Sequence, residues 1–174
     1  MKSLPLLLIS AAFALNACTN NPITYYRLPN STFQLPAAAS DSVAIKVVLA
    51  DSLNQGNLLY QPSPNTIHFA QQHLWADDLD NEIANTLANN LNQLNNEYSF
   101  NPSLKTNKAL IIHINNFQGS YDGHVHISGY TEWQGIPRQN RNFNIHTVQQ
   151  GNGYSNMVNA LAYGLKQIAQ QIAP

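Results

Sequence analysis

The stretch that decides the fold is "KALIIHINNFQGSYDGHVHISGYTEWQGIPRQNRNFNIHTV", residues 108–148. Apolar and β-branched residues fill its first third, residues 108–119, which predicts a well-buried strand. Polar and apolar residues alternate through residues 124–133 and again through residues 141–148, as they do in strands with one buried face. The Asp-Gly pair at residues 122–123 is typical of a hairpin turn. The sequence therefore predicts an antiparallel meander of three strands with one apolar face.

Two amphipathic helices flank this meander, and a further strand precedes them. Residues 42–51 are apolar and β-branched, which predicts a buried strand. Apolar residues recur every three or four positions within residues 75–96, where Asp77 is the expected N-cap, and within residues 151–173, where Ser155 is the expected N-cap. Each apolar stripe must be buried against another layer. The predicted fold is α+β: a two-layer sandwich in strands-helix-strands-helix order, with a largely antiparallel sheet and both helices on one face.

The N-terminus carries a short apolar run that ends near the only cysteine of the chain. After Lys2, residues 4–15 are mostly apolar, too few for the about 20 residues of a membrane-spanning helix but typical of a secretory signal peptide. The small residue Ala17 precedes Cys18, which resembles the lipobox of bacterial lipoproteins. An ordinary signal peptide that leaves a free thiol is the alternative. In such lipoproteins an aspartate after the cysteine commonly causes retention at the inner membrane, so Thr19 favours the outer membrane.

The chain is expected to divide into a signal peptide at residues 1–17, a lipidated cysteine and tether with a possible short strand at residues 18–41, and one α+β domain at residues 42–174. Loss of residues 1–17 removes Lys2, which leaves seven of the 8 basic residues against 9 acidic ones and a formal net charge of −2. This balance offers no basic surface for nucleic acid. Charged residues are 10% of the chain, so the expected surface is neutral and polar and suits close contact with a partner.

Residues that could carry chemistry do not form a recognisable catalytic set, so the sequence predicts neither an enzyme nor a cofactor. His124 and His126 share one face of a predicted strand, and His146 lies on the next strand. Together they are weak candidates for zinc ligands. No carboxylate or cysteine completes the set at an obvious spacing, so an ordinary polar sheet face is the alternative and no metal is predicted. The "GYSNM" at residues 153–157 lacks the second glycine of a nucleophile elbow.

Three segments taken together with "YYRLP" (residues 25–29) resemble the PqiC-like family of ABC-type transport auxiliary lipoproteins. The segments are "HLWADDL" (residues 73–79), "FQGSYDGHVHISGYTEW" (residues 117–133) and "GYSNMVNALAYGLKQIAQQIA" (residues 153–173). The resemblance implies a non-enzymatic lipoprotein, acylated on Cys18 with chains such as palmitate, anchored in the outer membrane and facing the periplasm.

The same resemblance implies a set of partners and a role. These are an MCE-domain protein that spans the periplasm, an inner-membrane transporter component, self-association into a ring, and a part in moving lipids between the two membranes and in envelope integrity. A binding or assembly lipoprotein of another envelope system, such as peptidoglycan or outer-membrane assembly, is the alternative. The lipid substrate, the number of copies and the contact residues do not follow from the sequence.

Overall fold

The structure is a computed structural model that describes residues 22–36, 41–94 and 97–173. In these ranges the elements follow one another in the order β1 (Thr24–Tyr26), β2 (Asp41–Leu49), a 3-10 helix (Asp51–Gln55), β3 (Asn57–Ser63), β4 (Thr66–Trp75), α1 (Leu79–Leu94), β5 (Tyr98–Asn101), β6 (Ala109–Ser120), β7 (His124–Gln134), β8 (Asn142–Val148) and α2 (Tyr154–Ile172).

All eight strands form one sheet that branches at β6. One path runs β1-β4-β3-β6-β2-β5, and β7 and β8 continue from the other side of β6. The first half of β6 pairs with β2, and its last residues pair with β3. The β6–β7–β8 meander and the β3–β4 hairpin are antiparallel, which confirms the predicted α+β fold. The pairings β1–β4, β2–β5, β2–β6 and β3–β6 are parallel. A long connection joins the two strands of each pair, so the second strand can run in the same direction as the first.

Both helices pack on one face of the sheet and contact each other. α1 lies against β2 and β5, and α2 lies against β6, β7 and β8. The predicted apolar stripes are buried along most of their length, as shown by Ile83, Leu87, Leu91, Leu161, Leu165 and Ile168, whereas Leu94, at the end of the α1 stripe, is 47% exposed. Full burial of such a side chain contributes about 1.5–3 kcal/mol, which compensates for the many asparagines of α1, a residue of modest helix propensity. Within the described ranges, neither helix is long and apolar enough to cross a membrane.

The start of α1 differs from the prediction. The helix begins at Leu79, so Asp78 rather than Asp77 holds the cap position, and its carbonyl oxygen accepts the first helical hydrogen bond. The Asp77 carboxylate instead forms an ion pair with Arg27, with 2.5 Å between Oδ2 and Nη2. The expected capping residue Asp77 therefore binds Arg27, a residue distant in the sequence, which local spacing does not reveal.

The start of α2 and one strand also differ from the prediction. Gly153 holds the cap position of α2 at φ 92°, and Ser155 lies inside the first turn, so the prediction of Ser155 as N-cap is wrong. Glycine suits this position because a backbone with positive φ strains other residues. The short strand β5 was not predicted, because an alternation of polar and apolar residues cannot be recognised over only four residues. The α2 helix nevertheless runs over the segment that the sequence indicates.

Candidate docking surface

The sheet face opposite the helices, here called the outer face, is formed by alternate side chains of β2, β6, β7 and β8. The strand registers place on it, among others, Val48, His113, His126, Tyr130, Asn144 and His146. These four strands hold three formally charged residues, Asp41, Lys46 and Glu132. The outer face is therefore polar but almost uncharged, as the sequence predicts.

The three candidate histidines lie on the outer face, but the structure brings only two of them together. His126 and His146 are opposite one another in the β7–β8 register, and their rings stack with centroids 4.4 Å apart. His126 Nε2 also lies 2.7 Å from Asn144 Oδ1. His124 turns back to its own hairpin turn, with Nδ1 3.1 Å from the carbonyl oxygen of Asp122. Among the residues that the structure describes, no group of three His, Cys, Asp or Glu could hold a metal ion.

A second contact on the outer face was not singled out from the sequence. The His113 ring stacks on Tyr130 with centroids 4.3 Å apart and an angle of 8° between the planes. His113 Nε2 is buried and lies 3.5 Å from Glu132 Oε2. The alternation of β7 predicts that Tyr130 and Glu132 share a face, but only the register with β6 brings His113 to them.

The strand β8 forms a free edge beside α2. Within the described strands it pairs with β7 alone, so its other side presents unpaired backbone groups. A groove of about 600 Å³ separates β8 from the exposed side of α2. Val148 and Tyr163, on opposite sides of the groove, are 52% and 56% exposed. An edge strand with exposed apolar neighbours is a surface to which another chain can bind.

A cavity of about 410 Å³ lies at the start of α2 and is lined by Tyr60, Tyr121, Tyr154 and Met157 with neighbouring glycines. The Tyr154 ring stacks on His73 with centroids 4.0 Å apart. Burial raises the pKa of the Tyr154 phenol, so this group stays neutral. The aromatic rings and uncharged groups of this cavity do not form a nucleophile and base pair, so the cavity suggests no chemistry.

The predicted tether contains residues 22–36, and the structure places these residues against the domain. β1 pairs in parallel with the end of β4, and Leu28 is 2% exposed. Glu82 of α1 holds this segment, because its Oε2 atom accepts a hydrogen bond of 2.7 Å from the backbone N–H of Leu28. The other oxygen, Oε1, accepts no hydrogen bond within the described residues and lies 3.7 Å from Arg27 Nε.

Asn89 holds the same segment two turns further along α1. Its amide nitrogen donates to the carbonyl oxygens of Asn30 and Thr32, and its amide oxygen accepts from the backbone N–H of Gln34. Asn89 is 3% exposed. The asparagine-rich face of α1 is thus a binding surface for the N-terminal segment, which composition alone does not indicate.

We expect Glu82→Ala to destabilise the protein by about 1–3 kcal/mol, because the buried N–H of Leu28 loses its acceptor. Glu82→Gln keeps an acceptor and serves as the control. Burial raises the pKa of Glu82, so the folded state keeps this proton to a higher pH than the unfolded state does. Relative to Glu82→Gln, the wild type should therefore lose stability as pH rises above about 4.5 and through the raised pKa. Urea unfolding between pH 4 and pH 8 checks this, and parallel stability curves would contradict it.

Cys18 lies outside the described residues, so its lipidation stays a prediction. The first described strand begins at Thr24, six residues later. The position of β1 therefore fixes where the chain leaves the domain toward the cysteine.

Comparison with known proteins defines the class. Residues 26–173 match the family model described as "ABC-type transport auxiliary lipoprotein component". This match covers nearly all of the described chain, and the protein belongs to this family of transport auxiliary lipoproteins. The resemblance seen in the sequence is confirmed.

Particular relatives share this assignment. The chain is 33% identical over 175 residues to the intermembrane transport lipoprotein PqiC of Escherichia coli (strain K12), which covers 94% of this chain and 92% of that protein. The PqiC of Shigella flexneri gives the same values. A crystal structure of an uncharacterized protein superposes with a TM-score of 0.77 at 29% identity, over 88% of this chain and 97% of that one. A protein from Xanthomonas campestris shares the fold with a TM-score of 0.65 at 13% identity, over 87% of this chain and 90% of that one.

Proposed function

We propose that this protein is a non-enzymatic, lipid-anchored subunit of an intermembrane lipid transport system that docks on an MCE-domain protein and supports envelope integrity. Its membership of a family of transport auxiliary lipoproteins is the observation that carries the proposal. The nearly uncharged outer face supports a docking role, because few charges would have to lose their hydration when a partner binds.

The anchor is proposed to be acylated Cys18 in the periplasmic leaflet of the outer membrane. The MCE-domain protein would span the periplasm from there to an inner-membrane transporter component. Proteins that work between two membranes need a fixed position at each one, and a lipid anchor supplies it without a membrane-spanning helix.

We also propose that copies of the chain associate with one another through the β8 edge and the neighbouring outer face. Among the described strands β8 pairs with β7 alone, so its other side offers backbone donors and acceptors, and exposed Val148 lies at the end of this strand. The adjoining outer-face residues of β7 and β8 include no lysine or arginine, and Lys is a residue that commonly protects edge strands from pairing. The edge is thus open to pairing with another copy.

Val148→Lys should weaken self-association by about tenfold or more, a change of about 1.4 kcal/mol, because every copy would bring a buried positive charge to the contact. Leu94→Lys, at the exposed end of α1, is the matched control, since Leu94 is 47% exposed and lies away from β8. Sedimentation equilibrium of the Cys18→Ser protein without residues 1–17 measures both. Equal association of the two variants would contradict the assignment of this edge.

Growth tests the role in the envelope. A strain without the gene should become sensitive to detergents, and the wild-type gene should restore its resistance. If affinity capture from such cells instead recovers peptidoglycan-binding or outer-membrane assembly proteins, the alternative envelope role stands and the transport role falls.

A further inference from the structure

One edge of the sheet is free of formal charge. The chain contains no Asp, Glu, Lys or Arg in residues 52–76, between Asp51 and Asp77, and none in residues 19–26, before Arg27. The first of these stretches forms the β3–β4 hairpin, and the second leads into β1, which pairs with β4. The two uncharged stretches therefore lie side by side in the fold.

Apolar side chains are exposed on this uncharged edge. Ile23 and Tyr25 are 53% and 61% exposed at the start of β1, and Ile67 and Phe69 are each 38% exposed on β4. β1 pairs only with the end of β4, so the first half of β4 has no partner on that side among the described residues. The neighbouring β6–β7 turn carries the charged residue Asp122.

The chain length between Cys18 and the domain fixes how far this edge can lie from the anchor. Thr24 is six residues after Cys18, and an extended chain of that length spans at most about 20 Å. β1 runs parallel to β4, so the chain reaches Thr24 from the direction of the β3–β4 turn. From His73, opposite Thr24, the strand β4 runs back about 23 Å to Thr66 at that turn. A chain that continues in this direction would bring the anchor to the side of the domain that holds the turn.

We propose that Ile23, Tyr25, Ile67 and Phe69 form a surface that lies against the bilayer in which the acyl chains of Cys18 are embedded. The inference rests on the proposed lipid anchor. Apolar and tyrosine side chains without neighbouring charges suit the boundary between headgroups and acyl chains. The chain between Cys18 and Thr24 allows at most about 20 Å between this edge and the bilayer. A second copy of the domain has a radius of gyration of about 15 Å, so its full width does not fit into that space.

The lone cysteine makes a direct test possible. In the lipidated protein the sulfur of Cys18 is blocked by its thioether, so Phe69→Cys introduces the single free thiol. The protein carries an environment-sensitive fluorophore on that thiol and is reconstituted into vesicles of phosphatidylethanolamine and phosphatidylglycerol. Leu94→Cys is the control, because Leu94 precedes β5, at the end of the sheet away from the β3–β4 turn. Ile67→Cys repeats the measurement if the first variant folds poorly.

The label at position 69 should emit at shorter wavelength and be quenched about twofold or more by nitroxide groups on the acyl chains, since interfacial groups lie about 5–10 Å deep. The label at position 94 should stay in water.

Flotation with the vesicles and the N-terminal mass test the anchor separately. Protein that floats with both labels in water overturns this inference and leaves the proposed function intact. A blue shift without quenching would show that a second copy of the chain covers the edge, and it also overturns the inference. Unacylated protein that does not float contradicts the anchor and the inference together.

Discussion

We expect Cys18→Ser to release the protein from the outer-membrane fraction into the soluble periplasmic fraction. A serine hydroxyl cannot form the thioether that carries the acyl chains. Each buried CH₂ group contributes about 0.8 kcal/mol to membrane binding, so loss of several chains removes nearly all of the affinity. Sucrose-gradient fractionation with an antibody against the protein measures the shift. Detergent resistance of the strain should fall at the same time, because the subunit no longer has a fixed position.

Thr19→Asp is the matched control for this experiment. It leaves the cysteine intact, and by the sorting behaviour of bacterial lipoproteins it should keep the protein membrane-bound but move it to the inner membrane. A Cys18→Ser protein that stays in the outer-membrane fraction would contradict the lipid anchor.

Gly129→Ala should cause a larger loss of stability than alanine at Gly119, the other glycine in the described strands, where the added Cβ atom meets the flexible Met157 side chain. A Cβ atom at Gly129 would lie 1.9 Å from the carbonyl oxygen of His113 and 2.8 Å from Phe143 Cζ. The carbonyl belongs to β6, directly across the β6–β7 ladder, and cannot move without breaking backbone hydrogen bonds. Overpacking costs about 1–3 kcal/mol in most cores, and we expect about 3 kcal/mol or more here because the clash is with backbone. Urea unfolding measures the loss.

Gly164→Ala is the control for Gly129→Ala, because its added methyl group meets a side chain and not the backbone. Its Cβ atom would lie 2.6 Å from Ile127 Cδ1, the end of a side chain that can rotate away. Alanine also favours the interior of a helix over glycine by about 1 kcal/mol. The net change should therefore stay within about 1 kcal/mol of the wild type. If both alanine variants lose the same stability, the assignment of the Gly129 clash is wrong.

Local periodicity accounts for the parts of the fold that were predicted correctly. The alternation of β7 separates Val125 and Ile127, which are fully buried, from His126, and the stripes of α1 and α2 identify their buried faces. Each of these signals depends on residues a few positions apart. The α+β architecture followed because apolar faces of a sheet and of two helices can be buried only against one another.

Contacts between distant segments could not be read from the sequence. The buried positions of Glu82 and Asn89 depend on the N-terminal segment, which is more than fifty residues away. The outer face of β6 depends on a register shift between Ile114 and Asn116, after which Asn116 faces Ser128 and donates to its hydroxyl oxygen over 2.7 Å. Regular alternation from His113 would place position 117 on the outer face, whereas the shift keeps this residue in the core.

The candidate site was predicted to different extents. Cys18 stands out because the signal that marks it is local. His126 and His146 were expected on adjacent strands, and the register places them opposite one another, which the sequence alone did not indicate. The stack of His113 on Tyr130 and the uncharged β1–β4 edge required the sheet order, in which β1 joins β4 and β2 joins β6.

Purification of the native lipoprotein from detergent-solubilised envelopes tests the docking role most directly. The sample should begin at acylated Cys18 and should retain an MCE-domain protein in a fixed ratio through size-exclusion chromatography. Protein that carries its acyl chains but elutes alone, with no MCE-domain protein detected by mass spectrometry before or after chemical crosslinking, would contradict the account.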